Sequence, residues 1–226
     1  MIGQLGIIIL SFADTMMVGR CGTAELGAAS FVNNMFNLVI VFSTGFSYGL
    51  TPFVGNHYGR GENASVGRVL KNALAVNAVV ALGLMALMFI LYLNIHRLGQ
   101  PAELLPLMRP YYIVLLVSLL FVLLFNAFKQ FADGITDTVT PMVILLGGNV
   151  VNIFCNWRLI YGKWGMPRMG LLGAGIATLT ARILMMLCFV IVFFTAKRYR
   201  PFVRGFKESS INKEDFVALN KMGMPV

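Results

Sequence analysis

Groups that do chemistry are scarce in this chain. It has nine Asp and Glu, two His and three Cys in 226 residues. The histidines, His57 and His96, stand far apart at the edges of polar links, and no HExxH, GxSxG or Walker A string occurs. Hydrolytic and ATP-driven readings lose their footing, and the chain is not expected to be an enzyme. Cys21, Cys155 and Cys188 form no CxxC and no metal spacing, and two of them lie in hydrophobic runs, so free thiols are expected. The first residues lack a positive charge, and an acid interrupts their apolar stretch, so they do not read as a cleaved signal.

What the chain does have is apolar length. It is 58% hydrophobic and 12% charged, with a mean hydropathy of +0.79, and its apolar residues come in long runs. That pattern predicts an all-α integral membrane protein. Phe (18), Met (14) and Gly (23) suit close helix packing around an adaptable apolar surface. The net charge of +9 comes largely from KRYRPFVRGFK at 197–207, directly after a hydrophobic run. Orientation toward the inner leaflet explains it better than nucleic-acid binding.

Six spans are expected, over 1–20, 31–57, 69–94, 111–128, 142–161 and 171–196. The polar links between them include 20–30, 57–68 and a Pro-punctuated 95–110 that can hold a short surface helix. A tail, 216–226, reads as the start of a seventh helix. Tyr111 and Tyr112 open the fourth run, where an aromatic belt is expected, and Pro52 predicts a tolerated kink. Asp133 and Asp137 read as solvated loop acids. Lys and Arg favour the even links, above all 197–215, which predicts both ends in the cytoplasm.

The first stretch, MIGQLGIIILSFADTMMVGR, carries the deepest acid, Asp14. At helical spacing Gly3, Ile7, Leu10 and Asp14 share one stripe, with Gln4, Ser11 and Thr15 beside it. An ionised carboxylate in hydrocarbon costs on the order of 3 kcal/mol even on lenient scales, so it belongs in a protein interior or a wet cavity. The alternative is a carboxylate that reaches the headgroups, since Arg20 follows six residues on. Asn33, Asn37, Thr44, Tyr48 and Thr51 form a polar face on the second run, and Asn149, Asn152 and Asn156 line up on the fifth. Arg182 lies twelve residues into the sixth run, ~18 Å deep, and should pair with Asp14 or a loop acid. Gln4, Asn33, Asn37, Thr44, Tyr48, Asn149 and Arg182 are the candidate lining of a substrate cavity. One deep carboxylate backed by amides and hydroxyls can take up a proton or hold Na⁺, and the pattern does not choose between them.

Three strings, ADTMMVGRCGTAELGAAS, GFSYGLTPFVGNHYGRGE and NIFCNWRLIYGKWGMPRMGLLGAGIATLTAR, resemble the multidrug and toxic compound extrusion (MATE) family, its NorM-like branch most closely. The resemblance implies the six-helix N-lobe of a twelve-helix antiporter, as residues 1–196. A basic cytoplasmic linker at 197–215 and a truncated seventh helix at 216–226 would follow. It further implies export of cationic drugs from the cell across the inner membrane in exchange for Na⁺ or H⁺, with no other cofactor, and a C-terminal lobe as partner beside the membrane lipid. The family's N-lobe cation ligands fall on Asp14, Asn152, Asn156 and, less directly, Thr178. At Asn156 the pattern of members whose cation site lies in this lobe has Asp, so Asp14 is left as the only charge, which weakens a Na⁺ site. Two other readings stand beside this one. A lipid-linked oligosaccharide flippase of the same superfamily would favour a cationic cavity, and a non-transporting scaffold would have no need of Asp14 or Arg182.

Overall fold

The computed structural model describes residues 15–162, 164–165 and 167–209. Gln4, Asp14 and the rest of the first expected span before residue 15 lie outside these residues, as does the expected seventh-helix start. Residues 15–19 are helical. They are followed by α1 (Thr23–Tyr48), α2 (Leu50–Gly59), α3 (Asn63–Leu93), a 3₁₀ turn (Ile95–Arg97), α4 (Leu105–Gly134), α5 (Val139–Tyr161), α6 (Gly170–Thr195) and α7 (Arg200–Glu208). Among the described residues, five helical stretches are long and apolar enough to cross a membrane, with α1 and α2 counted together as one.

The helices overrun the runs that predict them. Thr23–Ser30, expected in a link, is α1's first two turns, because Ala, Leu and Glu are good helix formers. The charged link expected over 57–68 shrinks to Arg60–Glu62, where Gly61 (φ 74°) makes the turn. There Glu62 accepts a 2.7 Å hydrogen bond from His57, which, with the nearby cations, holds its carboxyl below the ordinary value. The break in the second span falls at Gly49, three residues ahead of Pro52. Proline has no N–H to give, and in the first turn of α2 that N–H would lack a helical partner anyway.

Tyr111 and Tyr112 correct an expectation. α4 starts at Leu105, six residues before the first of them, so neither sits at a headgroup belt. Both are buried; Tyr112 donates to the Met88 carbonyl (2.8 Å) and stacks its edge on Phe36. At the same end of the bundle, Phe154, Trp157 and Trp164 form the exposed aromatic cluster, with Arg158 against the Trp164 ring.

α4 is the central post, packed by α1, α2, α3 and α6, while α5 leans chiefly on α6. A row of interhelical hydrogen bonds ties α1 and α2 to their neighbours: Asn126 to Thr44 (3.3 Å), Ser47 to Asn77 (2.8 Å) and Thr51 to Gln130 (2.7 Å). A second core of aromatic rings gathers at the other end of α6, where Phe128 stacks on Phe189 and Phe131, Phe193, Tyr199 and Phe202 meet edge to face or tilted. α7 is laid across the start of α3 at closest approach. A Cβ on Gly67 would strike the Phe202 carbonyl, and one on Gly205 the Ala64 carbonyl. Gly67→Val should therefore lower stability by about 1–3 kcal/mol, as overpacking does. The check is thermal unfolding in detergent, together with faster proteolysis between residues 197 and 209.

Asp137 is the other correction. It is 1% exposed rather than solvated. The Tyr199 hydroxyl donates to it (2.7 Å), Thr140 donates from both its hydroxyl (2.7 Å) and its N–H (3.2 Å), and Arg198 lies 3.6 Å away. Next to it Thr136 holds a left-handed backbone (φ 62°), uncommon for a β-branched residue. Asp133 is half-buried and paired with Lys129 at 3.1 Å.

Candidate functional site

α1 makes little contact with α6, and the gap between α1 on one side and α5 and α6 on the other is a cavity of about 420 Å³. α1 supplies Ser30, Asn33, Asn34 and Asn37, each one turn or less from the next. α5 supplies Asn149 and Asn152, and α6 supplies Thr178 and Arg182. Tyr111 and Leu115 of α4 form the back wall, and Thr15 and Val18 close one end.

The α5–α6 side depends on a close crossing. A Cβ on Gly173 would lie 2.8 Å from the Leu159 backbone, so glycine there lets the two backbones approach. That approach brings the Asn152 amide to the Thr178 hydroxyl, to which it donates at 3.3 Å. One turn away on α5, Asn156 donates to the Asn152 carbonyl oxygen at 2.9 Å. Asn156 is fully buried and is not among the cavity-lining residues, so it reaches the cavity through Asn152. Two of the three asparagines aligned by sequence spacing, Asn152 and Asn156, thus form with Thr178 one hydrogen-bonded row that ends at the cavity wall, and Asn149 lines the cavity.

Across the cavity, Tyr111 donates to the Asn33 carbonyl oxygen at 2.8 Å. Arg182 donates to Ser118 at 2.6 Å, and Ser118 in turn donates to the Leu115 carbonyl at 2.7 Å. The loop acids put forward as partners for Arg182 are engaged elsewhere, with Asp133 on Lys129 and Asp137 on Tyr199, Thr140 and Arg198. Among the described lining residues Arg182 carries the only formal charge, and the rest of the polar surface is neutral amide and hydroxyl. No group of three or more His, Cys, Asp or Glu able to hold a metal occurs among the described residues.

Two residues of the expected lining are not among the cavity's walls. Thr44 is held in the seam with Asn126, and Tyr48 is 58% exposed at the end of α1. The polar face of α1 runs from the cavity into its contact with α4, so only the first half of the face, Asn33 and Asn37, reaches the cavity. Asn149 and Arg182 line it as expected, while Gln4 and Asp14 lie outside the described residues. Ser30, Asn34 and Tyr111 went unanticipated. Asn34 adjoins Asn33, and Tyr111 became visible only once α4 was seen to start earlier.

A family model described as MatE matches residues 1–158. A probable multidrug resistance protein NorM of Photorhabdus laumondii is 28% identical over 99% of the chain. The multidrug resistance protein NorM of Vibrio cholerae is 27% identical over 96%. The chain spans about half the length of these curated relatives, 49% and 48%. Among solved structures, an outward-facing multidrug resistance MATE family transporter of the MOP superfamily superposes with a TM-score of 0.82 at 20% identity. That match covers 98% of this chain and 48% of the other. A MOP superfamily transporter from Pyrococcus furiosus, for which a binding pocket of reversed polarity is described, gives 0.83 at 19% identity over 98% and 48%.

Proposed function

Because this chain belongs to the MatE family, we propose that it forms the N-lobe of a secondary transporter. The transporter exports cationic or amphipathic drugs in exchange for Na⁺ or H⁺, and a second lobe of similar size completes its pathway. The observation that carries the reading is the cavity between α1 and α5–α6 with the Asn156–Asn152–Thr178 row opening into its wall. Its volume suits a small organic molecule, and its amides and hydroxyls offer oxygens to a cation. Neutral oxygens alone do not discharge a cation on demand, so the coupling charge is assigned to Asp14, the residue before cavity-lining Thr15. Asn152 and Thr178 face the ion, and Asn156 orients Asn152. Arg182 and the α1 amides line the drug's side of the cavity. The protein lies in the inner membrane with α7 on the cytoplasmic side.

The test uses the native gene product in inverted membrane vesicles with an imposed Na⁺ or H⁺ gradient. A fluorescent organic cation should accumulate under one gradient and not under the other. Accumulation under neither, with the protein shown to be folded, would reject the exchange mechanism. Asn152→Ala removes the acceptor for Asn156 and the donor to Thr178. It should raise the coupling-ion concentration for half-maximal transport by about ten-fold, the worth of one to two hydrogen bonds, while drug affinity changes little.

One observation favours a second reading. The only charge on the described lining is a cation, Arg182, which suits an anionic substrate such as a lipid-linked pyrophosphate. Under that reading Arg182→Gln abolishes transport of the anionic substrate, and no organic cation is moved.

A further inference from the structure

Residues 197–209 of the basic segment after α6 are a packed turn and helix with an outward-facing basic surface. α7 turns Phe202 and Gly205 inward, with Val203 and Phe206 half-buried, and fixes them against α3. The Lys71 ammonium donates to the Ser209 carbonyl at 2.6 Å and ties down the far end. Tyr199 on Asp137 ties down the near end. With its apolar face spent on the protein, the helix presents Arg200, Arg204 and Lys207 outward, and Lys197 is exposed just before it. The one acid among described residues 197–209, Glu208, sits on Arg204 in a fully surface pair.

Depth is set by a second contact. The Lys207 ammonium lies 5.9 Å from the centre of the Phe194 ring, and Phe194 is 42% exposed in the last turn of the long apolar helix α6. A cation held against an outward-facing ring at the end of a span stands at headgroup level. Tyr58 of α2 packs on Phe202 (6.1 Å), which brings the end of α2, with exposed Arg60, to the same side.

We infer that α7 and Lys197 form a preorganised docking surface for anionic phospholipid headgroups. Lipid is the occupant because the cations stand where the spans end, next to a ring that faces outward from α6, and headgroups are concentrated there. Side chains mounted on a fixed helix lose less freedom on binding than those of a loose linker. Each basic residue near an anionic surface strengthens binding by about five-fold. This inference does not depend on what the cavity transports.

The test takes the native gene product in neutral detergent and follows its thermal unfolding while phosphatidylglycerol or phosphatidylcholine is added. Phosphatidylglycerol should stabilise the wild type at a much lower lipid content than phosphatidylcholine. The Arg200→Gln/Arg204→Gln/Lys207→Gln variant should need about ten-fold or more phosphatidylglycerol for the same effect. Arg20→Gln/Arg97→Gln, at the opposite end of the bundle, should behave as wild type. High salt should weaken the wild-type response. A triple variant with the wild-type response would overturn the inference. So would equal stabilisation by soluble glycerol phosphate at matched phosphate, which would make the site a free-phosphate site.

Discussion

Asp14→Asn is expected to reduce gradient-driven drug movement to the level of empty vesicles, while Asp133→Asn leaves it within about two-fold of wild type. The substitution keeps the size of the side chain and its carbonyl oxygen but removes the charge and the protonation step. The rest of the proposed ion site has nothing to replace them. Asn152, Asn156 and Thr178 are neutral, and hydrogen bonds link them to one another. The one charged group on the described lining, Arg182, has the sign of the ion itself. Asp133 supplies the contrast, since it is an acid in an i,i+4 pair with Lys129 at 3.1 Å, remote from the cavity lining. Pairs of that kind contribute about 0.3–0.5 kcal/mol. The measurement is initial uptake into inverted vesicles under equal gradients, normalised to protein content. Equal rates for wild type and Asp14→Asn would sink the assignment.

Asp137→Ala is expected to lower stability by about 2–4 kcal/mol, more than any other single change at the α4–α5 turn. The carboxylate accepts two hydrogen bonds from Thr140 and one from Tyr199, and removing it takes from the buried Tyr199 hydroxyl its charged acceptor. Hydrogen bonds to a charged group contribute about 1.5–3 kcal/mol each, though not additively. Tyr199 also belongs to the aromatic core that seats α7, so the loss should spread into faster proteolysis at residues 197–209. Tyr199→Phe, which keeps the ring, should cost less and leave α7 seated.

The pH dependence carries its own sign. Burial pushes the Asp137 carboxyl up, but the Thr140 and Tyr199 hydrogen bonds and Arg198 together bring it below its ordinary value. A depressed carboxylate contributes stability that is fully present above its unfolded pKa and lost as pH falls through the folded one. The difference between wild type and Asp137→Asn should therefore be flat across neutral pH and shrink only below about pH 4. A difference that shrank between pH 6 and 8 would contradict this assignment. The Tyr199 phenol moves the other way, pushed up by burial and by its bond to Asp137. It stays protonated, as its role as donor requires.

Much of the architecture was legible because apolar length is a local property. Each long run among the described residues is a helix, and the asparagines at 149, 152 and 156 share a face simply because a helix turns 100° per residue. Helix ends were less legible. Residues 23–30 and 129–134 are too polar to read as part of a span, yet they lie at the ends of continuing helices and have ordinary helix-forming composition. The same error put Tyr111 and Tyr112 at a boundary when they belong to the interior.

By itself the sequence determined the class of the protein, five spans among the described residues, the bias of positive charge toward one end and the residues with something polar to offer. Those follow from hydropathy and spacing, which are properties of each segment alone. Only the tertiary structure decided which polar residues share a space. Thr44 and Asn37 occupy one helix face, yet one meets Asn126 and the other the cavity, because α4 covers only part of that face. Asp137 and Asp133, four residues apart, look alike in sequence. One is sealed under Tyr199 and the other is half-buried in a pair with Lys129, because the turn between α6 and α7 packs over the first.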